Sequence, residues 1–188
     1  QETEELVNWV IEDFRGNSNK NKMIDIGTGS GCIAISLAKE LKNNMIYGLD
    51  NDDSILDLAK QNSKNNNVYV NFFRKDINFL NSLNLKIDVV VSNPPYVLKE
   101  EKKNMRLNVL NYEPHKAIFV DDEDPLKFYR LILDYAKLNL KKYGLIYFEI
   151  NPLLFNELKK LIYQYNFKIK QRIDIFGKIR MLRLQRSL

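Results

Sequence analysis

Three glycines, Gly27, Gly29 and Gly31, restrict the fold of this chain more than any other feature. They close a short apolar run, Met23 to Ile26, and lead directly into CIAISLAKEL. The whole chain holds 7 glycines, so the cluster is a local device and not a bias of composition. Glycine lets the backbone turn sharply and lets a ligand approach closer than a side chain would permit. A strand, a glycine turn and a helix packed closely on a sheet follow from this order.

The alternation then continues. Met45 to Leu49 reads as a strand ending at Asp50, Asp53 to Lys64 as a helix, Val68 to Phe73 as a strand ending near Asp76, and Ile87 to Ser92 as a strand broken only by Asp88. After Asn93 the pattern lapses for about thirty residues, and loops of that length in a domain tend to be functional. It resumes with a helix over Leu126 to Leu140, a strand over Leu145 to Ile150, a helix over Leu153 to Tyr163, and strands over Phe167 to Ile173 and Ile179 to Leu184. Strands separated by helices imply parallel crossovers, so the expected fold is α/β: a doubly wound, mostly parallel, seven-stranded Rossmann-like sheet. The last two strands have no room for a helix between them and should form a C-terminal antiparallel hairpin.

At 188 residues one domain is expected, over residues 22–188. Before it, Leu6, Val7, Val10, Ile11 and Phe14 recur at helical spacing ahead of Gly16 and the polar run Asn17 to Asn21, which makes residues 1–21 a linking helix and loop. Because Gln1 to Arg15 reads as a helix already under way, the chain is expected to be a piece of a longer protein.

The apolar fraction of 45% and charged fraction of 28% are those of an ordinary folded domain, which favours neither disorder nor a fibrous repeat. No apolar stretch approaches the roughly 18 residues of a membrane span, and no basic segment precedes an apolar run at the start. A cytoplasmic monomer without membrane contact is expected. The lone Cys32 and lone His115 can form neither an internal disulfide nor a zinc set, so no metal is expected; Cys32 is read as a packing residue. The net charge of +5 is read as a solvated lysine surface, and direct nucleic-acid binding is not expected.

The glycine spacing is GxGxG, and Cys32 stands where a dinucleotide fingerprint would have its third glycine, which disfavours NAD and FAD. Asp50 closes the second strand, where a carboxylate can accept hydrogen bonds from both hydroxyls of a ribose. No P-loop lysine follows the turn. A ligand with an adenosine-like ribose and no required pyrophosphate fits S-adenosylmethionine (SAM), held by Gly27, Thr28, Gly29, Ser30, Gly31 and Asp50. Asp76 and Ile77 could edge and face the adenine, or Asp76 could simply cap a short helix near Phe79.

Asn93-Pro94-Pro95-Tyr96 ends the fourth strand, on the sheet edge where open α/β proteins bind ligands. The two prolines stiffen the backbone and remove two N–H donors. The side-chain oxygen of Asn93 and the carbonyl of Pro94 can each accept one N–H of a flat NH2 group, and Tyr96 offers a face for it. Such a group is a poor nucleophile, so it needs acceptors and position more than a strong base. His115 has no evident partner for chemistry.

Taken together, DIGTGSG at 25–31, Asp50, NPPY at 93–96, YEPHKAI at 112–118 and DIFGKIR at 174–180 resemble the HemK/PrmC family of peptide chain release factor N5-glutamine methyltransferases. The opening QETEELV is similar to the end of that family's PRPETE-type segment. The resemblance implies the class I SAM-dependent methyltransferase fold, and methyl transfer from SAM to the side-chain amide of the glutamine in the GGQ motif of release factors. It implies that Gly27 to Gly31 and Asp50 hold the cofactor with Ile77 near the adenine. Asn93, Pro94, Pro95 and Tyr96 would hold the glutamine, with Asn93 touching both. Glu113, with Thr3 and Glu4, would shape the mouth of the site, although Thr3 could equally cap a helix. Family members carry an N-terminal helical domain that contacts the release factor, and residues 1–188 are expected to lie outside it.

Two other readings stay open at this level. Adenine-N6 DNA methyltransferases and guanine-N2 RNA methyltransferases use similar tetrads, and a noncatalytic nucleic-acid-binding module could keep the fold for its basic surface.

Overall fold

A computed structural model of the chain describes residues 2–98, 101, 120 and 122–187. Helix α1 is Glu2–Phe14, followed by strand β1 Lys22–Ile26, α2 Cys32–Glu40, β2 Met45–Asp50, α3 Asp53–Asn65, β3 Asn71–Arg74, a 3-10 helix Ile77–Ser82 and β4 Ile87–Ser92. The second part holds α4 Lys127–Asn139, β5 Leu140–Glu149, a 3-10 turn Pro152–Leu154, α5 Phe155–Gln164, β6 Phe167–Ile173 and β7 Ile179–Arg186.

Alternating apolar residues cover both faces of the sheet. Ile24 and Ile26 of β1, Val90 of β4 and Ile146 and Phe148 of β5 meet Tyr129, Ile132 and Leu133 of α4 and Leu158 and Ile162 of α5. Their strand neighbours Met23, Val89, Val91 and Tyr147 point the other way, onto Leu6, Trp9 and Val10 of α1 and Ile33, Ala34 and Leu37 of α2. Period-two strands between period-3.6 helices account for a sheet buried on both sides. Trp9 is fully buried and meets the Tyr147 ring edge-on at 5.9 Å, which anchors α1 to β5. Asp88, the polar break in β4, is accounted for by Lys22 N–H at 2.9 Å and Lys141 Nζ at 2.8 Å.

The strand order is β3-β2-β1-β4-β5-β7-β6, with β1 to β5 parallel and β7 antiparallel to both β5 and β6. The expected seven-stranded α/β sheet with a C-terminal hairpin is present. Two strand starts differ by more than one residue. β5 starts at Leu140 instead of Leu145, because α4 runs straight into an extended backbone whose Lys141, Lys142 and Tyr143 are exposed and lack strand-like alternation. β3 starts at Asn71 instead of Val68, because Val68 closes the end of α3: its N–H donates to the Ser63 carbonyl at 3.2 Å and its carbonyl accepts the Ser63 hydroxyl at 2.6 Å.

This order places the site. The chain winds outward from β1 to β3 and then returns to lay β4 against the other side of β1. The loops leaving β1 and β4 therefore diverge at a topological switch point, where open α/β sheets form a crevice.

Candidate active site

Strands β1 and β4 are tied together at their carboxyl ends. The buried Ser92 hydroxyl donates to the Ile26 carbonyl at 2.6 Å, which sets Asn93 beside Gly27. The glycine turn is held from the other side by β2, since Gly27 and Thr28 both donate their N–H to the Leu49 carbonyl, at 3.0 and 2.9 Å. Gly27 and Gly29 have positive φ, +75° and +55°, and a Cβ on either would enter open space. Both line a cavity of about 470 Å³, a size suited to a small organic ligand.

Seven of the expected residues come together on this cavity: Gly27, Gly29, Asp50, Ile77, Asn93, Pro94 and Pro95. Asp50 accepts the Gly29 N–H at 3.0 Å and the Asn51 N–H at 2.8 Å. A carboxylate has about four acceptor sites, so capacity remains for a ligand's hydroxyls.

Other expected residues hold the walls in place. Thr28 is buried and donates its hydroxyl to Asp25 at 2.6 Å. The Ser30 carbonyl accepts from Asn62 Nδ2 at 2.9 Å. Gly31 packs the start of α2 against α3 and β3, where a Cβ would lie 3.0–3.2 Å from Ile35, Ala59 and Phe72. Asp76 caps the 3-10 helix by accepting from the Asn78 N–H at 2.8 Å, and the cavity wall next to it is Lys75 and Ile77. Glu113, like His115 and the rest of 112–118, lies outside the described residues.

One expectation from the sequence needs correction, and one of the two readings of Thr3 falls away. Cys32 is exposed instead of packed, because the face that α2 turns to the sheet is Ile33, Ala34 and Leu37. Thr3 caps no helix: it lies inside α1, donates its hydroxyl to Glu149 Oε2 at 2.7 Å and accepts from Asn93 Nδ2 at 3.2 Å.

Glu149, which sequence reasoning missed, is the common partner behind the cavity. It ends β5 at 3% exposure, and its second oxygen accepts the Tyr96 hydroxyl at 2.7 Å. Burial pushes its carboxyl above the usual range, against the pull of the Thr3 and Tyr96 hydroxyls and the Arg180 charge. Burial, with Glu149 next to it, likewise raises the Tyr96 phenol, which stays protonated. Asn151 Nδ2 holds the Tyr96 carbonyl at 3.2 Å, and Arg180 is steadied by Asp174 at 3.4 Å, so the tetrad, the first turn of α1 and the β6–β7 hairpin converge here. Phe128 of α4 and Asn51 also line the cavity without having been expected; the position of Asn51 next to Asp50 was the one available signal. Among the described residues, no group of three His, Cys, Asp or Glu could hold a metal ion, and no helix is long and apolar enough to cross a membrane.

Residues 6–112 match the Methyltransferase small domain. The chain belongs to that family. It is 49% identical over 186 residues to a release factor glutamine methyltransferase from Flavobacterium psychrophilum, covering 97% of this chain and 65% of the relative. It is 40% identical over 187 residues to another of that name from Bacteroides thetaiotaomicron, covering 98% of this chain and 66% of the relative. This methyltransferase-family chain thus spans just under two thirds of the length of these curated relatives. Among solved structures, magnesium protoporphyrin IX methyltransferase from Synechocystis PCC 6803 with bound SAM superposes with a TM-score of 0.63 at 20% identity, covering 98% of this chain and 77% of that one. At that identity the likeness establishes the fold, that of class I SAM-dependent methyltransferases.

Proposed function

We propose that this chain is the catalytic part of a SAM-dependent protein methyltransferase which modifies the side-chain amide nitrogen of the GGQ glutamine in peptide chain release factors. A release factor acts in translation, so the reading places the enzyme in the cytoplasm. The observation that carries it is the setting of Asn93. It lines the cavity beside Gly27 while its NH2 group is already engaged by Thr3. Relatives up to 49% identical bear the name release factor glutamine methyltransferase, and a structural neighbour is solved with SAM, which supports the same assignment.

The residues fit the cofactor. Gly27 and Gly29 leave space that side chains would fill, Asp50 has acceptor sites for ribose hydroxyls, and Ile77 offers an apolar wall to an adenine. Bound SAM would supply an electrophilic methyl group on a sulfonium. Asn93 Oδ1 and the Pro94 carbonyl would each accept one N–H of the glutamine amide and aim its nitrogen, while Tyr96 keeps the tetrad rigid through Glu149. Transfer would break the methyl group's bond to sulfur and release S-adenosylhomocysteine, and the amide proton would leave to water once the nitrogen had gained its methyl, so no strong base is required.

The test is transfer of labelled methyl from SAM to a purified bacterial release factor. Label on the GGQ glutamine, and none on a release factor with that glutamine changed to alanine, is the expected result. Label on duplex DNA or RNA and not on the release factor would overturn the glutamine assignment.

A further inference from the structure

An asparagine serves as an acceptor toward substrate only if its amide is turned the right way, since its NH2 and C=O ends are nearly the same shape and opposite in polarity. Asn93 does not settle this by itself. Its NH2 end lies 3.2 Å from Thr3 Oγ1, an atom that can either donate or accept. Thr3 has one hydroxyl proton, and that proton points to Glu149 Oε2 at 2.7 Å. In its ionised form, which the Thr3 and Tyr96 hydroxyls and the Arg180 charge favour against burial, the carboxylate only accepts, so Thr3 donates to it; having spent its proton, the Thr3 oxygen can only accept from Asn93. The other oxygen of Glu149 takes the Tyr96 hydroxyl at 2.7 Å, so the carboxylate is fixed at both ends.

Resting on the reading above, we propose that Glu149, acting through Thr3, is a positioning residue that holds Asn93 with its side-chain oxygen, and not its NH2 group, toward the cavity. Polarity passes along one chain of hydrogen bonds, from carboxylate to hydroxyl to amide. It begins on β5, crosses the first turn of α1 and ends on the β4 loop, so three distant segments must assemble before the tetrad has the correct sense. Neither Glu149 nor Thr3 need touch the methyl acceptor. In Glu149→Gln the new amide can donate to Thr3, which frees the threonine proton to turn toward Asn93 and removes the preference between the two amide orientations.

The experiment compares Thr3→Val, Thr3→Ser and Glu149→Gln with the parent protein, measuring SAM affinity by calorimetry, methyl transfer to a release factor, and the side-chain NH2 signal of Asn93 by NMR. Thr3→Val and Glu149→Gln should lower kcat by about 10- to 100-fold with cofactor affinity within about threefold, the range expected when an oriented acceptor is lost. Thr3→Ser should recover most of the rate, because it restores the hydroxyl. Combining Thr3→Val with Glu149→Gln should add little to either alone, since both break one chain. One Asn93 Nδ2 proton should lose its exchange protection in Thr3→Val and keep it in Thr3→Ser. Folded Thr3→Val with the parent's kcat and NMR signal, or Thr3→Ser that does not recover, would overturn the proposal. If the parent methylates DNA or RNA instead of a release factor, the glutamine reading fails, and the same variants assayed on that acceptor still decide the positioning role. If the parent shows no turnover at all, the NMR comparison decides it.

Discussion

Ser92 Oγ donates to the Ile26 carbonyl at 2.6 Å, and this one buried bond joins the ends of the two strands whose loops form the cavity. Ser92 is fully buried, so its loss would take a buried hydrogen bond from the Ile26 carbonyl. Ser92→Ala should cost about 1–3 kcal/mol in urea unfolding, the penalty of an unsatisfied buried acceptor. It should also weaken SAM binding, because Gly27 and Asn93 lose their common tie.

Gly29 and Gly31 should separate cofactor binding from stability. Gly29→Ala puts a methyl group into the cavity space at φ +55°, so calorimetry should show a large loss of SAM affinity with a stability cost of about 1–2 kcal/mol, that of a left-handed alanine. Gly31→Ala meets Ile35, Ala59 and Phe72 at 3.0–3.2 Å and adds the same backbone strain at φ +85°. Its midpoint in denaturant should fall further than that of Gly29→Ala.

Asp25 gives the protein a pH signature. Burial, opposed by the Thr28 hydrogen bond, raises its pKa from 3.8 to about 7, and its Oδ1 has no partner among the described residues. A carboxyl whose folded pKa lies above its unfolded one stabilises the fold fully only below the unfolded value, and that contribution is lost as pH rises through about 7. A shift of this size corresponds to about 4 kcal/mol between the acid and neutral limits. In chemical denaturation at a series of pH values, Asp25→Asn should therefore gain on the parent protein between about pH 5 and pH 8. A difference that stays flat over that range would exclude a buried, proton-linked Asp25.

Trp9 tests how far α1 belongs to the catalytic unit. Its ring is fully buried against Tyr147, and the Arg172 guanidinium lies 4.4 Å from its centroid. Trp9→Ala should cost about 3–5 kcal/mol, the range for emptying an aromatic site in a core. Because Thr3 is carried by the same helix, methyl transfer should fall at temperatures where the sheet is still folded.

The features legible in the sequence were those written within a few neighbouring residues. The Gly27 to Gly31 turn, Asp50 at the end of its strand and the Asn93 to Tyr96 tetrad each announce themselves by local spacing, and strand-helix alternation places them on one edge of one sheet. Glu149 was hidden for a physical reason. It stands in YFEI as a single polar residue in an apolar strand, and its partners Thr3 and Tyr96 lie 146 and 53 positions away, so nothing local marks it as the meeting point. Thr3 was noticed but its role was not, since a threonine near the start of a helix reads the same way whether it caps the helix or reaches across to a carboxylate. The glycines were legible as a group but not individually: that Gly29 faces the cavity while Gly31 packs three helical and strand residues depends on tertiary contacts.

The most direct test is Asn93→Ala, assayed together for methyl transfer to a release factor and for SAM binding by calorimetry. If Asn93 is the oriented acceptor, turnover should fall by at least about 100-fold, comparable to the loss of an oriented polar group at a reacting centre. Cofactor affinity should remain within about threefold, since Gly27, Gly29 and Asp50 are untouched. Turnover within a few-fold of the parent in a folded, SAM-binding Asn93→Ala protein would contradict the account.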